Sequence, residues 1–318
     1  MTVQQHRFMT SGGEMVYLDE GDGPAVVLLH GFPSSSFLWR EFIPLLAGRF
    51  RVIVPDLLGA GDSAQPEDAA LHIRAQAAYV RELLAHLDVE RFAVVGHGVG
   101  GGIAQLLALD GPGVDAMVLL DSVAFDRWPS EAAQEAQARA DDAGGLLMPE
   151  LVEAAIRTVY DLGLRHRERF TDAVLEEYVR PYRGPEGAAG FARGLAAMDG
   201  VGLTGREAEM ERIAFPVLIL WGEDDVFFPA TLGERLNEAM PSSTLGLLPG
   251  CGHFLPEEVP ETIGPMLAEY LRARYLMEPH GHDQKEGVVM LQLERRPPWV
   301  DLAADEADDW YVEDEEED

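Results

Sequence analysis

The chain of 318 residues contains a single cysteine, Cys251, and a single lysine, Lys285. One cysteine cannot form a disulfide within the chain, and it excludes the paired spacing of a zinc finger. No apolar run approaches the roughly 18 residues that a membrane-spanning helix needs. The first residues, "MTVQQHRFMTSGGEM", also lack the basic and apolar regions of a signal peptide. These absences predict a soluble, cytoplasmic protein.

Positive charge is scarce as well. The chain has 24 Lys and Arg against 56 Asp and Glu, which gives a formal net charge of -32. Long-range repulsion would oppose binding to nucleic acid or to an anionic membrane, so neither is expected as a partner. A small uncharged molecule is easier to accommodate. The sequence leaves the oligomeric state open.

Six short apolar runs are present in a composition that is 47% hydrophobic. Each is nearly continuous in Val, Ile and Leu, as expected for strands that are buried on both faces of a parallel sheet. Helical patterns lie between most of them, for example at 73–87 and 100–109, which predicts a doubly wound α/β fold. The runs are residues 25–30, 51–56, 91–97, 116–122, 216–225 and 244–253.

The apolar runs end in residues that are capable of chemistry. In open α/β sheets the carboxyl ends of the strands line the ligand crevice, so these residues predict one shared site. They are His30, Asp56, His97, Asp121 with Ser122, Asp224 with Asp225, and His253.

Two segments interrupt the alternation. Residues 125–212 are helical in pattern, without a convincing strand, and they fall between two predicted core strands. We therefore expect a core from 1–124 and 213–275, with 125–212 as a helical cap. After Tyr275 the pattern ends, and 11 of the last 18 residues are acidic, which predicts a C-terminal extension at 276–318 with a solvated acidic tail. Within it, "GVVMLQLE" can add an edge strand.

The segment "RFAVVGHGVGGGIAQLLAL", residues 91–109, predicts a strand that turns sharply into a helix at Gly98. Its glycines satisfy the G-x-G-x-x-G pattern of dinucleotide-binding loops at Gly96, Gly98 and Gly101, and Asp121 follows where a ribose-binding acid would lie. That fingerprint usually opens the first βαβ unit, whereas two strands precede it here. The alternative is a nucleophile elbow, G-x-Nuc-x-G, in which glycine occupies the nucleophile position.

Five motifs in order favour the elbow. They are "HGFPSSSFLWR" at 30–40, "PDLLGAGDSAQP" at 55–66, "VVGHGVGG" at 94–101, "LILWGEDDVFFP" at 218–229 and "GCGHFLPEEVPE" at 250–261. Together they resemble the α/β-hydrolase superfamily over about residues 14–275, in the branch of esterases, epoxide hydrolases and haloalkane dehalogenases with a helical lid. The resemblance implies a small-molecule substrate, no cofactor and no metal.

The resemblance assigns roles by position. Asp225 lies three residues after the Gly of "WGEDD", which selects it over Asp224 as the acid that orients the general base His253. The backbone N–H groups of Phe32 and Val99 would form the oxyanion hole. Haloalkane dehalogenases favour Asn at the position of Phe32 and Trp at the position of Val99, so dehalogenase activity is disfavoured.

The same resemblance makes His30, Trp39, His97, Tyr160 and Tyr178 candidates for substrate binding. Epoxide hydrolases place two activating tyrosines in the lid, although ordinary packing is the competing interpretation for the tyrosines here. The Leu, Met, Phe and Tyr content of the lid predicts a mainly apolar substrate.

Gly98 has no atom that could attack a substrate, so covalent catalysis through this residue is excluded. Three hypotheses remain. The protein could hydrolyse an ester- or epoxide-like substrate with a water that His253 activates, or it could bind a small molecule without catalysis as a pseudoenzyme. Alternatively, Gly98 is an inactivating change of Ser or Asp in an ordinary hydrolase.

Overall fold

A computed structural model describes residues 4–142, 148–276 and 290–292. Nine strands within these residues form one sheet in the order β1-β2-β4-β3-β5-β6-β7-β8-β9. Their bounds are β1 Gln5–Thr10, β2 Gly13–Glu20, β3 Ala25–Leu29, β4 Arg51–Pro55, β5 Phe92–His97, β6 Val114–Leu120, β7 Val217–Gly222, β8 Ser243–Leu248 and β9 Met290–Gln292.

The sheet is mostly parallel. From β4 to β9 all neighbouring strands run parallel, and β1 and β2 add an antiparallel hairpin at one edge. The six apolar runs correspond to β3 through β8, and the predicted edge strand is confirmed as β9 beside β8. The hairpin was not predicted because β1 has alternately exposed, largely polar positions instead of an apolar run.

Helices cover both faces of the sheet. Their bounds are α1 Ile43–Leu46, α2 Ile73–His86, α3 Val99–Leu109, α4 Glu131–Asp142, α5 Pro149–Gly163, α6 Asp172–Val179, α7 Gly184–Ala196, α8 Ala230–Ala239, α9 Leu255–Glu258 and α10 Pro260–Leu271. Apolar side chains of α2, α3 and α8 belong to the core cluster on one face, and those of α1 and α10 to the cluster on the other. The doubly wound α/β fold is thereby confirmed.

The segment between β6 and β7 contains the four helices α4 to α7. Side chains such as Ile156, Leu175 and Phe191 join this segment to the same apolar cluster as α2 and α3. The insertion therefore packs on the same face of the sheet as α3, the helix that begins after Gly98. The exact domain boundaries stay a prediction, and the acidic run at 301–318 lies outside the described residues.

Among the helices of the described residues, none combines the length and the apolar character that crossing a bilayer requires.

Candidate active site

The turn at Gly98 has the geometry of an elbow. Strand β5 ends at His97, helix α3 begins at Val99, and Gly98 between them has φ 55° and ψ -118°. Glycine enters this region without the steric cost that a side chain brings. The Gly98 N–H donates to the carbonyl of Leu120 at 3.1 Å, and its carbonyl accepts from the N–H of Val123 at 3.1 Å. The neighbouring strand β6 therefore fixes the turn.

Two flanking glycines allow the turn to be this sharp. A Cβ on Gly96 would lie 2.3 Å from the carbonyl oxygen of Gly100, and a Cβ on Gly100 would lie 2.2 Å from that of Leu29. No side chain fits at either distance, so α3 can begin directly against β3 and β5 only because both positions are glycine. The first turn of α3 consequently lies at the carboxyl ends of the central strands.

Asp225 and His253 form a hydrogen-bonded pair beside this turn. Asp225 Oδ2 lies 2.9 Å from His253 Nδ1, and both side chains are buried. The second oxygen, Oδ1, accepts the N–H groups of Phe227 and Phe228 at 2.8 and 3.1 Å. Asp224 differs, because 54% of its side chain is exposed. The structure therefore brings Asp225, and not Asp224, to the histidine.

The backbone of His253 is held from two sides. Its N–H donates to the carbonyl of Gly163 at the end of α5 at 2.8 Å, and its carbonyl accepts from His97 Nε2 at 2.8 Å. Burial and the nearby His253 ring lower the pKa of His97 to about 3, so His97 stays neutral and Nε2 carries the hydrogen. The loop between β8 and α9 carries His253 and is called the histidine loop here. The His97 side chain thus positions this loop through the backbone of His253.

His253 faces Gly98. A Cβ built on Gly98 would lie 3.5 Å from His253 Nε2, the ring nitrogen that is not bonded to Asp225. The rings of Phe227, Phe228 and Phe254 surround the imidazole, with centroid distances of 4.9 to 5.6 Å. The imidazole is therefore shielded from bulk water, and its free nitrogen points at the nucleophile position.

The loop after β3 supplies the second wall of the site. A Cβ on Gly31 would lie 3.4 Å from the N–H nitrogen of Val99, so this loop lies directly against the elbow. Among the hydrogen bonds of the described residues, none is donated by the N–H of Phe32 or of Val99. The Val99 N–H also belongs to the N-terminus of an 11-residue helix, which favours negative charge.

A cavity of about 460 Å³ opens above these groups. Gly98, Val99, Phe32 and His253 lie at its base, and small or apolar side chains of α4, α5 and α7 line the rest. Among the described residues that line it there is no Asp or Glu, and Arg139 is the only Arg or Lys. The described lining is thus mainly apolar, and His253 is a polar group at the base.

His30 and Trp39, which were candidates for substrate binding, have structural roles instead. His30 Nδ1 donates to the carbonyl of Gly31 at 2.7 Å, and its Nε2 accepts the N–H of Leu57 at 3.0 Å, so both nitrogens hold loops. Burial lowers the pKa of His30 and favours this neutral form. Trp39 packs edge-on against Phe42 in the core cluster on the opposite face of the sheet. The structure therefore brings neither side chain to the cavity.

The two lid tyrosines also pack away from the cavity. Tyr160 is stacked between Tyr178 and Phe254, and Tyr178 donates a hydrogen bond to Glu257. Neither lines the cavity, and burial raises the pKa of both phenols. In this conformation they do not point at a substrate, which agrees with the packing interpretation.

Sequence reasoning missed a buried ion pair beside the site. Arg40, from the loop after β3, donates two hydrogen bonds at 2.6 and 2.7 Å to Glu257, which follows the histidine loop. Tyr178 donates to the same carboxylate from the inserted segment. Glu257 therefore joins three segments around the cavity. The "EE" within "LPEEVPE" was the only signal, and it does not identify partners 217 positions away.

Cys251 and its neighbours do not supply the missing nucleophile. Burial and nearby carboxylates raise the pKa of the Cys251 thiol to about 12. Cys251, His166 and Glu258 offer metal-ligand atoms within 4.8 Å of one another. However, both oxygens of Glu258 already accept backbone N–H groups, at 2.9 to 3.1 Å. The cluster thus holds the histidine loop to the inserted segment.

Comparison with known proteins agrees with this geometry. The model of the alpha/beta hydrolase fold family matches residues 24–260. Haloalkane dehalogenase 2 of Mycobacterium tuberculosis is 32% identical over 279 residues, which cover 82% of this chain and 93% of that protein. A soluble epoxide hydrolase of a Corynebacterium species is 32% identical over 281 residues, covering 82% and 94% of the two chains.

A solved structure is similar over the same region. The crystal structure of an alpha/beta hydrolase fold protein from Burkholderia ambifaria superposes with a TM-score of 0.73 at 31% identity, over 82% of this chain and 96% of the other. The chain belongs to the α/β-hydrolase fold family.

Proposed function

We propose that this protein hydrolyses a small, mainly apolar ester with a water molecule that His253 activates beside Gly98. The observation that carries the proposal is the alignment of three groups: Asp225 on Nδ1 of His253, and Nε2 of His253 directed at Gly98. The N–H groups of Phe32 and Val99, which have no acceptor among the described residues, lie at the same end of the cavity.

Each residue has a defined part in such a reaction. His253 Nε2 takes a proton from the water as it attacks the carbonyl carbon, and Asp225 stabilises the imidazolium that forms. The Phe32 and Val99 N–H groups stabilise the negative oxygen of the tetrahedral intermediate. His253 then returns the proton to the leaving alcohol. Removal of a triad member leaves serine proteases with residual catalysis from the oxyanion hole and from binding, so a slow reaction is expected.

The geometry favours an ester over the substrates named for the two relatives. Phe32 and Val99 have no side-chain N–H to bind a halide, and neither Tyr160 nor Tyr178 lines the cavity as a donor to an epoxide oxygen. Backbone N–H groups suit a carbonyl oxygen. An epoxide remains the alternative substrate class, because the soluble epoxide hydrolase relative aligns with 82% of the chain.

The experiment compares turnover of activated short-chain aryl esters and of aryl epoxides by the parent and by His253→Ala. Slow ester turnover that is lost in His253→Ala supports the proposal. His6→Ala, on the edge strand β1, is the matched control and should keep full activity. Tight binding of apolar ligands without His253-dependent turnover would instead favour a non-catalytic binding protein. Turnover that survives in His253→Ala would rule out the assigned base.

A further inference from the structure

The nucleophile position has the surroundings of a small ligand site. The three heavy atoms nearest to a Cβ on Gly98 would be His253 Nε2 at 3.5 Å, Gly31 Cα at 3.8 Å and His253 Cε1 at 3.8 Å, which are ordinary contact distances. Beyond this point the position opens into the cavity. A group of two or three heavy atoms can therefore lie where other members of the family have a side chain.

Polar groups around this position favour a negative charge. The N-terminus of the 11-residue helix α3 lies beside it, and the helix dipole favours a negative charge there. His253 is only 6% exposed, and its Nε2 has no hydrogen-bond partner in the described part of the chain. Asp225 occupies the opposite nitrogen, so Nε2 is left to share a proton with a bound anion.

The described lining of the cavity is free of acidic residues although the chain is rich in them. The sequence has 56 Asp and Glu, yet none is among the described residues that line the cavity, and the lining Arg139 is 82% exposed and paired with Glu135. The net charge of -32 repels anions at long range, but physiological salt screens this repulsion beyond about 8 Å. Close contacts therefore decide whether an anion binds at Gly98.

We propose that the position beside Gly98 binds a small carboxylate, such as formate or acetate, which acts as an exchangeable nucleophile in place of a side chain. Formate with Gly98 approximates an aspartate side chain without its methylene group. The ligand supplies the attacking oxygen, and the Phe32 and Val99 N–H groups remain available for the substrate carbonyl. The proposal rests on the hydrolysis of esters proposed above and changes which oxygen attacks.

The chemical step is balanced. A formate oxygen forms a bond to the carbonyl carbon of the ester, the bond from this carbon to the leaving oxygen breaks, and the Nε2 proton of His253 passes to the leaving alcohol. The product on the acyl side is a mixed anhydride. Water, deprotonated by His253, then adds to the more electrophilic formyl carbon, and the bridging oxygen leaves with the acyl group. The formic acid that is released loses its proton to solvent, which regenerates formate.

The first test measures binding with formate itself as the probe. The NMR line broadening of ¹³C-formate is measured in the presence of the full chain, and binding should saturate at millimolar formate. A ligand of three heavy atoms can reach a Kd of about 0.5 mM at best, because the binding free energy per heavy atom has an upper limit. Gly98→Asp supplies its own carboxylate and Gly98→Ala fills the position with a methyl group, so both should lose at least about tenfold in affinity. Circular dichroism verifies that the variants fold. Equal binding by parent, Gly98→Asp and Gly98→Ala would overturn the site.

The second test follows the oxygen atoms. With ¹⁸O-formate in unlabelled water, the parent should hydrolyse a p-nitrophenyl ester about tenfold or more faster than in chloride of equal ionic strength, since a positioned nucleophile divides one difficult step into two. The product acid should carry ¹⁸O. Unlabelled product acid, with the rate unchanged or lowered, would overturn the nucleophile role even if formate binds.

The two proposals fail in different ways. Absence of His253-dependent turnover in formate-free buffer would refute hydrolysis by activated water but would leave formate-dependent, ¹⁸O-labelled turnover as a separate result. Turnover in buffer that formate neither accelerates nor labels would refute only the exchangeable nucleophile. Since Gly98→Asp carries a built-in carboxylate, formate should not accelerate it, and its product acid should contain no oxygen from formate.

Discussion

Gly98→Ala isolates the conformational cost of the elbow. The residue has φ 55° and ψ -118°, a region that non-glycine residues occupy only under strain. The added methyl group itself would be accommodated, because its closest neighbour is His253 Nε2 at 3.5 Å and backbone Gly31 Cα lies 3.8 Å away. Any loss of stability in this variant therefore reports backbone strain and not a clash.

The magnitude follows from two opposing terms. A residue held in such a region costs on the order of 1–3 kcal/mol. Replacing glycine by alanine also reduces the conformational entropy of the unfolded chain, which stabilises the fold by about 0.4–1 kcal/mol. The difference is a net destabilisation of about 1 kcal/mol. With a urea m-value of about 3 kcal/mol/M, the unfolding midpoint should fall by about 0.3 M while m stays unchanged.

Two other glycines separate the cost of backbone strain from the gain in unfolded-chain entropy. Gly250 has φ 69° and Gly48 has no positive φ, and an added Cβ at either would meet nothing within 4 Å. Gly250→Ala should therefore lose stability through strain alone, as Gly98→Ala does, whereas Gly48→Ala should be neutral or stabilising. Urea unfolding of the variants, followed by tryptophan fluorescence, measures all three midpoints.

Gly101→Ala, although it lies in helix α3, is not a neutral control. A Cβ there would lie 2.1 Å from Ser122 Oγ and 2.5 Å from Ser122 Cβ, so the variant should lose about 1–3 kcal/mol through overpacking. A Gly98→Ala protein that unfolds at or above the parent midpoint, beside a destabilised Gly250→Ala, would refute strain at the elbow.

Three further predictions concern activity, pH and the ion pair. Gly98→Ser should raise ester turnover above the parent, because its Oγ would lie beside His253 Nε2; no gain would mean that the cavity is not adapted to esters. Burial and Asp225 raise the folded-state pKa of Asp121 well above 3.8, so the folded protein binds more protons and stability falls as pH rises above that value. Asp121→Asn should thus gain stability relative to the parent between pH 4 and 8, and a difference independent of pH would contradict this. Arg40→Ala leaves the buried Glu257 with the Tyr178 hydroxyl but without its charge partner, and should cost about 3–5 kcal/mol in urea unfolding, far more than an exposed ion pair.

The sequence predicted the parts of the site that follow directly from strands. Asp225 and His253 lie in loops after β7 and β8, and parallel neighbours bring their carboxyl ends together, so a shared site followed from strand order. The choice of these two residues as partners came from the resemblance to the α/β-hydrolase superfamily. Trp39 shows the limit of this reasoning. It lies in a recognised motif, yet which face of the sheet its ring packs on depends on the three-dimensional course of the loop, and the ring joins the opposite core.

Contacts between distant segments could not be predicted from the sequence, for a related reason. The hydrogen bonds of Glu257 join Arg40 and Tyr178, which are 217 and 79 positions away. No periodicity encodes such a partner, because the choice depends on how the inserted segment packs on the core. Room around a glycine is equally hidden, as the Ser122 contact at Gly101 demonstrates.

The three buried histidines around the turn differ in how their nitrogens are used. His30 places both nitrogens in backbone hydrogen bonds, and His97 uses Nε2 to hold the backbone of His253. A histidine that only fastened loops would resemble these two. His253 instead commits Nδ1 to a buried carboxylate, at a desolvation cost that a purely structural pair could avoid, and directs Nε2 at Gly98 and the cavity. Asp225 already holds its own loop through Oδ1, so its bond to the imidazole is not needed for that purpose. These contacts are what the proposed proton transfer at Gly98 requires, and neither the loop nor the fold needs them.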